Sequence, residues 1–408
     1  MTVIEDSAAA REWIGPKPTA IQITAIMTIG TIGMLICGVQ PVLLGALVTE
    51  GRLSNAGLGQ ATTAEFVTLG LFIAFAGTFL KPRRLPLIAI GAALVTGLAD
   101  IGMLYQSGAA LLLNRAISGA GEAILVWVGI CMITRSSTPT RWAAIFLTLQ
   151  GITQLAFAAL IPLTLMASHG ANGGFVGMAG SAVLAAMAAP FLPRQMVDLP
   201  KGNEESPAGI LFAPRSLLVL LSVFLISAFS IGLFSYLAPL AIQAGLSQAQ
   251  LGFIVSMVLG TSVLGAAAAA LFPDLPYFPI FAANVVINGI ILYMLWALPG
   301  FPLFMAAAAL FGLSWQSFQP YQLPMAIEAD PTRRVATMMG GVQLIGASAG
   351  PLVCSFFVTD SEARGSLIVV GICFAAAFLF ACILHFGRRR HAAATTAGDL
   401  PRDVIQSA

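Results

Sequence analysis

The sequence predicts an all-α membrane protein, twelve transmembrane helices in two pseudo-symmetric six-helix bundles. Three observations predict it. The 408 residues are 58% hydrophobic and only 9% charged, with a mean hydropathy of +0.92, whereas about a quarter of the residues of a soluble domain carry charge. The apolar residues form long unbroken runs, each near the ~20 residues that a helix needs to cross a ~30 Å hydrocarbon core. Rare residues also recur at one constant spacing along the two halves.

Only helices and closed barrels satisfy their backbone in lipid, and runs of this length are helices. The predicted spans are 19–48, 58–80, 85–105, 108–133, 142–167, 173–192, 216–244, 248–272, 277–298, 301–327, 335–358 and 364–386. Residues 193–215 form the longest internal polar stretch, with Lys201, Asn203, Glu204, Glu205 and Ser206. They divide the chain into an N-terminal bundle (19–192) and a C-terminal bundle (216–386), flanked by a short segment (1–18) and an Ala/Thr-rich tail (387–408).

Lys and Arg accumulate on the cytoplasmic side of membrane proteins. With both termini inside, sixteen of the 19 basic residues are cytoplasmic, Arg52 and Arg364 are external, and Arg115 is in the membrane. Losing one helix would invert every later loop, so the asymmetry supports the count. The reading is a multi-pass protein of a bacterial-type inner membrane with cytoplasmic termini and linker, monomeric, with the lipid bilayer as its surroundings.

A net charge of +2 with scattered cations implies no nucleic-acid partner. Cys37, Cys131, Cys354, Cys373 and Cys382 lie in apolar runs without metal or disulfide spacing, so neither is expected. Residues 1–19 open with Glu5, Asp6 and Glu12 and lack a basic n-region, so the first apolar run is expected to remain in the protein. No HExxH, GxSxG or P-loop occurs, and His169, His385 and His391 all fall outside the deep membrane. An enzyme is not expected, nor is a bound cofactor.

A shift of 193 residues places Leu53-Ser54 on Leu246-Ser247, Leu58-Gly59 on Leu251-Gly252, Gly119 on Gly312, Arg141 on Arg334 and Gln150 on Gln343. Parallel repeats in transporters show themselves this way. At this point the chain resembles the major facilitator superfamily over roughly residues 19–386. The best local match is Arg115-Ala-Ile-Ser118-Gly119-Ala-Gly121-Glu122-Ala123, similar to that family's fourth-helix pattern. The resemblance implies two six-helix halves that rock about a central site. The loop Gly77-Thr-Phe-Leu-Lys81-Pro82-Arg83-Arg84 departs from the family pattern by carrying lysine where an aspartate latch is usual. The fifth helix lacks the antiporter signature, whereas Gly346-Ala-Ser-Ala-Gly350-Pro351 in the eleventh reads as a packing seam with a kink.

A charged side chain at the bilayer centre costs about 2.5–3.5 kcal/mol on insertion scales, so each such residue needs a reason. Glu65, Asp100, Arg115 and Glu122 qualify, all in the first half. Asp100 and Arg115 fall at similar depth and are expected to pair, with Asp100 close enough to the interface to be hydrated. Glu122 lies two turns deeper than Arg115, where its proton is controlled by wetting and by where Arg115 points. Glu122 and Glu65 are the leading proton-coupling candidates, against neutral acids hydrogen-bonded between helices. Arg115 is equally suited to hold a substrate carboxylate. In the second half Trp315, Gln316, Gln319 and Tyr321, beside Pro320 and Pro324, read as a cavity wall on a broken helix. Tyr236, Asn284, Asn288, Gln343 and Gln40 are weaker candidates. Together these imply proton-coupled transport of a small organic molecule, aromatic or carboxylated. The missing antiporter signature favours symport, with efflux antiport and passive facilitation as alternatives.

Overall fold

A computed structural model of the chain describes residues 13–136, 139–197, 213–272, 275–330 and 334–398. Among them are twelve helices long and apolar enough to cross a membrane. Spans 1 to 6 are Ala20–Thr49, Asn55–Gly77, Leu85–Gly102, Gly108–Ile133, Ile145–Leu163 and Leu165–Phe191. Spans 7 to 12 are Pro214–Gln243, Gln248–Ala269, Tyr277–Trp296, Phe301–Ala329, Met338–Ser355 and Gly365–Gly387.

Local chemistry sets the helix starts. Thr19 and Gln22 form a reciprocal capping box before span 1, and Ser247 and Gln250 form another before span 8. Ser54 caps span 2 by accepting from Gly57 N, and 57 is the repeat position of 250.

Among the described residues three spans are interrupted. Span 1 consists of Ala20–Gly33 and Leu35–Thr49, broken at Met34, whose carbonyl accepts from Gln154 Nε2 at 2.6 Å as well as from Cys37 N at 3.2 Å. Span 10 passes through a tight turn at Gln319–Tyr321 between Phe301–Phe318 and Gln322–Ala329, where Pro320 removes a donor. The loop predicted at 168–172 is instead mostly helical. Leu165–His169 already winds, and the break falls at Gly170, whose positive φ of 58° a side chain would resist. Glu50 Oε1 accepts from Ala171 N at 2.6 Å and so caps the stretch beyond it.

The repeat is visible in the packing. A Cβ on Gly119 would lie 2.6 Å from both Glu65 O and Thr68 Oγ1, and one on Gly312 would meet Val258 O and Thr261 Oγ1. Each partner differs from its counterpart by the same 193 positions, so spans 4 on 2 and 10 on 8 are one packing made twice.

The apolar core is common to both bundles at one end and divided at the other, while spans 2 and 11 (Gly70 beside Leu344) and spans 5 and 8 (Gly151 beside Val263) still touch between those ends. One apolar core unites residues of both halves toward the end opposite the termini, from Leu35 to Phe175 with Phe229 to Phe374. Toward the end that bears the termini the core splits, one part within 13–196 and the other within 218–384. At the closed end Asn55 Nδ2 donates to Thr359 O at 2.8 Å and Asp360 O at 3.3 Å. Tyr236 Oη donates to Asn55 O at 3.1 Å, Thr63 Oγ1 to Ser348 O at 2.9 Å, and Gln248 Nε2 to Val42 O at 2.8 Å. Asn55 and Gln248 are repeat mates, so each half extends an amide across the seam from the same position. The Gly346–Gly350 segment is a packing seam, its two glycines lying against Phe224 O and Ala228 O of span 7.

The loop after span 2 bonds to the stretch that follows span 6. Leu85 N donates to Arg194 O at 3.2 Å and Met196 N to Pro82 O at 2.9 Å.

Candidate functional site

Span 4 presents Arg115, Ser118 and Glu122 at i, i+3 and i+7, a spacing that puts them on one face. Gly119 lets span 2 approach closely enough for Glu65 to reach Arg115, and Gly121 does the same for span 3 at Thr96. The carboxyl of Glu65 forms an ion pair with the Arg115 guanidinium. Ser118 Oγ lies 3.4 Å from both Asp100 Oδ1 and Glu122 Oε1, and Arg115 Nη1 lies 3.8 Å from Met103 Sδ. Glu65, Asp100, Arg115 and Glu122 are 1%, 0%, 0% and 1% exposed. Asp100 Oδ2 and Glu122 Oε2 have no hydrogen-bond partner.

All four charged residues singled out from sequence therefore converge, with two corrections. Arg115 pairs with Glu65, not with Asp100, because Gly119 admits span 2 at that level. Asp100 is dry, since spans 3 and 4 pack closely along its face. The group lies inside the first bundle among spans 2, 3 and 4, so in this state it faces neither lipid nor open space. Ser118, which links the two acids, carries a signal in its i+3 spacing from Arg115. Gln40 joins the same region from span 1, its amide donating to Thr62 Oγ1.

The second-bundle candidates divide into two sets. Trp315 is partly buried, with its ring 5.6 Å from those of Phe234 and Phe311 and its indole N–H without a partner. Gln316, Gln319 and Gln343 are also partly buried. The remaining candidates are engaged between helices. Tyr236 joins the closed seam, Tyr321 Oη donates to Phe272 O at 2.6 Å, and Asn288 Nδ2 donates to Ser314 Oγ at 2.7 Å, which in turn reaches Asn284 Oδ1 at 2.6 Å.

Sequence reading missed Arg52 and Asn55. Arg52 donates to Gln106 O at 2.9 Å, Asn172 Oδ1 at 2.8 Å and Met103 O at 2.5 Å, and so staples its own loop to the loop after span 3 and to span 6 at the closed end. A loop arginine facing carbonyls leaves no pattern in sequence.

No known family's sequence pattern matches this chain, and no curated protein matches it. Solved structures do. A bacterial homologue of the human lysosomal transporter Spinster, in an inward-facing and occupied conformation, superposes with a TM-score of 0.69 at 16% identity, over 91% of this chain and 98% of that one. The nucleoside transporter NupG gives 0.69 at 12% identity, over 90% and 99%. The POT family transporter PepTSo gives 0.64 at 13%, over 93% and 99%. The fold is that of the major facilitator type of transporter, twelve membrane helices in two related bundles.

Proposed function

We propose that this protein is a proton-coupled secondary transporter. It carries a small organic solute across a bacterial inner membrane by alternating access, as a monomer, with termini and linker cytoplasmic. The observation that carries the reading is the split core: an apolar core shared by the two bundles at one end and divided between them at the other, as a transporter requires when its central site faces one side. With the basic ends inside, this state faces the cytoplasm.

Support for proton coupling comes from charge balance. One guanidinium accompanies three carboxyl groups, and an unpaired ion in a dry interior costs several kcal/mol. The cluster is balanced only when protons occupy the surplus acids, so a change in its hydration moves protons. Arg115 is engaged by Glu65, which favours coupling over direct capture of a substrate carboxylate in this state. The solute is assigned to Trp315, Gln316, Gln319 and Gln343, an aromatic face with amide donors and acceptors, which suits an aromatic or carboxylated molecule. Symport is favoured over antiport because the fifth span lacks the antiporter signature.

The test is uptake into proteoliposomes, screened over organic acids and amines with and without an imposed pH gradient. A gradient-dependent solute is expected; gradient-independent flux of every transported solute would leave a facilitator.

A further inference from the structure

Two neighbouring cavities on the first bundle have no part in the transport site. One is a crevice of about 490 Å³ between spans 1, 5 and 6, walled by apolar side chains such as Ile23, Leu35, Leu149 and Leu184. Of the hydroxyls within it, those of Thr24, Thr153 and Ser181 are each bonded to a carbonyl of their own helix, at 3.0, 2.8 and 2.7 Å, while that of Thr31 is buried without a partner. The three bonded ones therefore add little polarity to the walls. From Ile23 to Leu35 the crevice follows span 1 for roughly 18 Å at 1.5 Å per residue, close to the ~15 Å of one leaflet's hydrocarbon.

The other is a niche of about 260 Å³ at the end bearing the termini, lined by Trp13, Lys17, Gln22, Arg135 and Arg194 among others. Its described lining contains three cations and no carboxylate. Arg135 is fixed through carbonyls, Nη1 to Cys131 O at 2.7 Å and Nε to Val197 O at 2.6 Å. The Trp13 indole N–H is buried and has no acceptor. Trp13 also stands 5.6 Å ring to ring from Trp142, which lines the crevice, so the tryptophan pair is the shared wall of the two cavities. Tryptophan pairs at this level mark the boundary between hydrocarbon and headgroups.

We propose that the first bundle holds an anionic phospholipid, its phosphate in the niche of Trp13, Arg135 and Arg194 and one acyl chain in the crevice of spans 1, 5 and 6. A phosphate oxygen gives the Trp13 N–H its acceptor and Arg135 and Arg194 a counter-charge, Lys17 being engaged already, while the crevice takes a chain of one leaflet's length. A zwitterionic lipid fits the crevice equally and the niche poorly. Anionic lipids attract basic residues by about 1 kcal/mol for each Lys or Arg near the surface, a factor of roughly five in binding.

The experiment is native mass spectrometry of the full chain released from vesicles of equal phosphatidylglycerol and phosphatidylcholine. Retained phosphatidylglycerol is expected to exceed phosphatidylcholine about tenfold. Arg194→Gln lowers that excess about fivefold and Arg194→Lys preserves it, while Thr28→Phe, which fills the crevice from its exposed side, removes the bound lipid. Equal retention of the two lipids, an Arg194→Gln variant like the parent, or release of the lipid by millimolar inorganic phosphate would overturn the proposal. The readout needs no transport, so its failure leaves the transporter reading standing.

Discussion

Glu65, Arg115, Ser118 and Glu122 of the first bundle have Val258, Ala308, Phe311 and Trp315 as their counterparts 193 residues later. Gln40 and Thr62, hydrogen-bonded in the first half, correspond to Leu233 and Val255 in the second. All of these except Trp315 are buried in both halves, and the contact of Gly119 with span 2 recurs at Gly312 with span 8. The frame is thus indifferent to what fills it. One copy uses the space for ionisable groups, the other for an aromatic stack of Phe311, Trp315 and Phe234. In the proposed mechanism coupling and solute recognition fall to different halves, which a rocking motion links without direct contact between the two groups.

The sharpest break of this comparison is at Arg115. Arg115→Ala leaves Glu65 buried without its cation, and breaking a buried pair in this way costs about 3–5 kcal/mol. A large fall in the melting temperature of the purified protein is expected. Glu65→Val/Arg115→Ala, which writes the second bundle's residues into the first, should recover much of that loss, since apolar replacement of a buried pair is often neutral. Were Arg115→Ala as stable as the parent, the pair would have no structural weight.

Next come the two glycines. Gly119→Ala and Gly312→Ala each push a methyl into a carbonyl and a threonine hydroxyl of the neighbouring span, an overpacking of about 1–3 kcal/mol. Melting temperatures should fall for both and by similar amounts. A loss confined to one half would break the equivalence of the two packings.

Function should divide where chemistry does. Glu122→Gln is expected to reduce pH-gradient-driven uptake at least tenfold while leaving solute binding nearly intact. Trp315→Ala should weaken binding about tenfold, some 1.4 kcal/mol, and keep the response to the gradient. Uptake kinetics at two external pH values separate them, and a Trp315→Ala variant that loses the gradient response would merge the two roles.

Much of this was legible in the sequence because membrane solvation writes in large letters. Long apolar runs, basic asymmetry and costly buried charges each carry kilocalories, and they located twelve spans and the Glu65, Asp100, Arg115 and Glu122 group. Pairing was harder. Depth along a helix follows from residue count, but azimuth depends on contacts such as Gly119 against Glu65 O, and these decided that Arg115 meets Glu65. The break at Met34 had no proline or polar run at its own position; it depends on Gln154 from another span. Tyr236, Tyr321 and Asn288 resemble ligand-binding residues in composition, yet their hydrogen bonds run to Asn55, Phe272 and Ser314.

At the closed seam the repeat mates Asn55 and Gln248 make unequal contributions. Asn55 donates twice from its side chain across the seam and Gln248 once, and each bond contributes about 1 kcal/mol. Asn55→Ala should therefore open the seam more than Gln248→Ala. Labels on spans 2 and 11 near Gly59 and Pro351 would report the distance between them. The reverse order would show that the seam is held by span 8 on span 1.

The smallest difference lies in how each half ties its loops at that end. The first uses Arg52, whose guanidinium donates to Gln106 O, Asn172 Oδ1 and Met103 O. The second uses Glu362, which accepts from Arg364 Nε at 2.8 Å and Gln243 Nε2 at 3.0 Å. Those hydrogen bonds, from Arg364 first and then Gln243, hold the Glu362 carboxyl down to about 2. A carboxyl depressed in the folded state stabilises it above the ordinary glutamate value of about 4.3, and the contribution is lost as pH falls toward 2. Since the group is largely solvated, salt screens the effect and keeps it slight. Hydrogen exchange of residues 359–364 should quicken between pH 4 and 2 relative to residues 50–53, after correction for intrinsic rates, and Glu362→Gln should remove that pH dependence. If both loops loosened together, acid would be acting on the seam they share and not on Glu362.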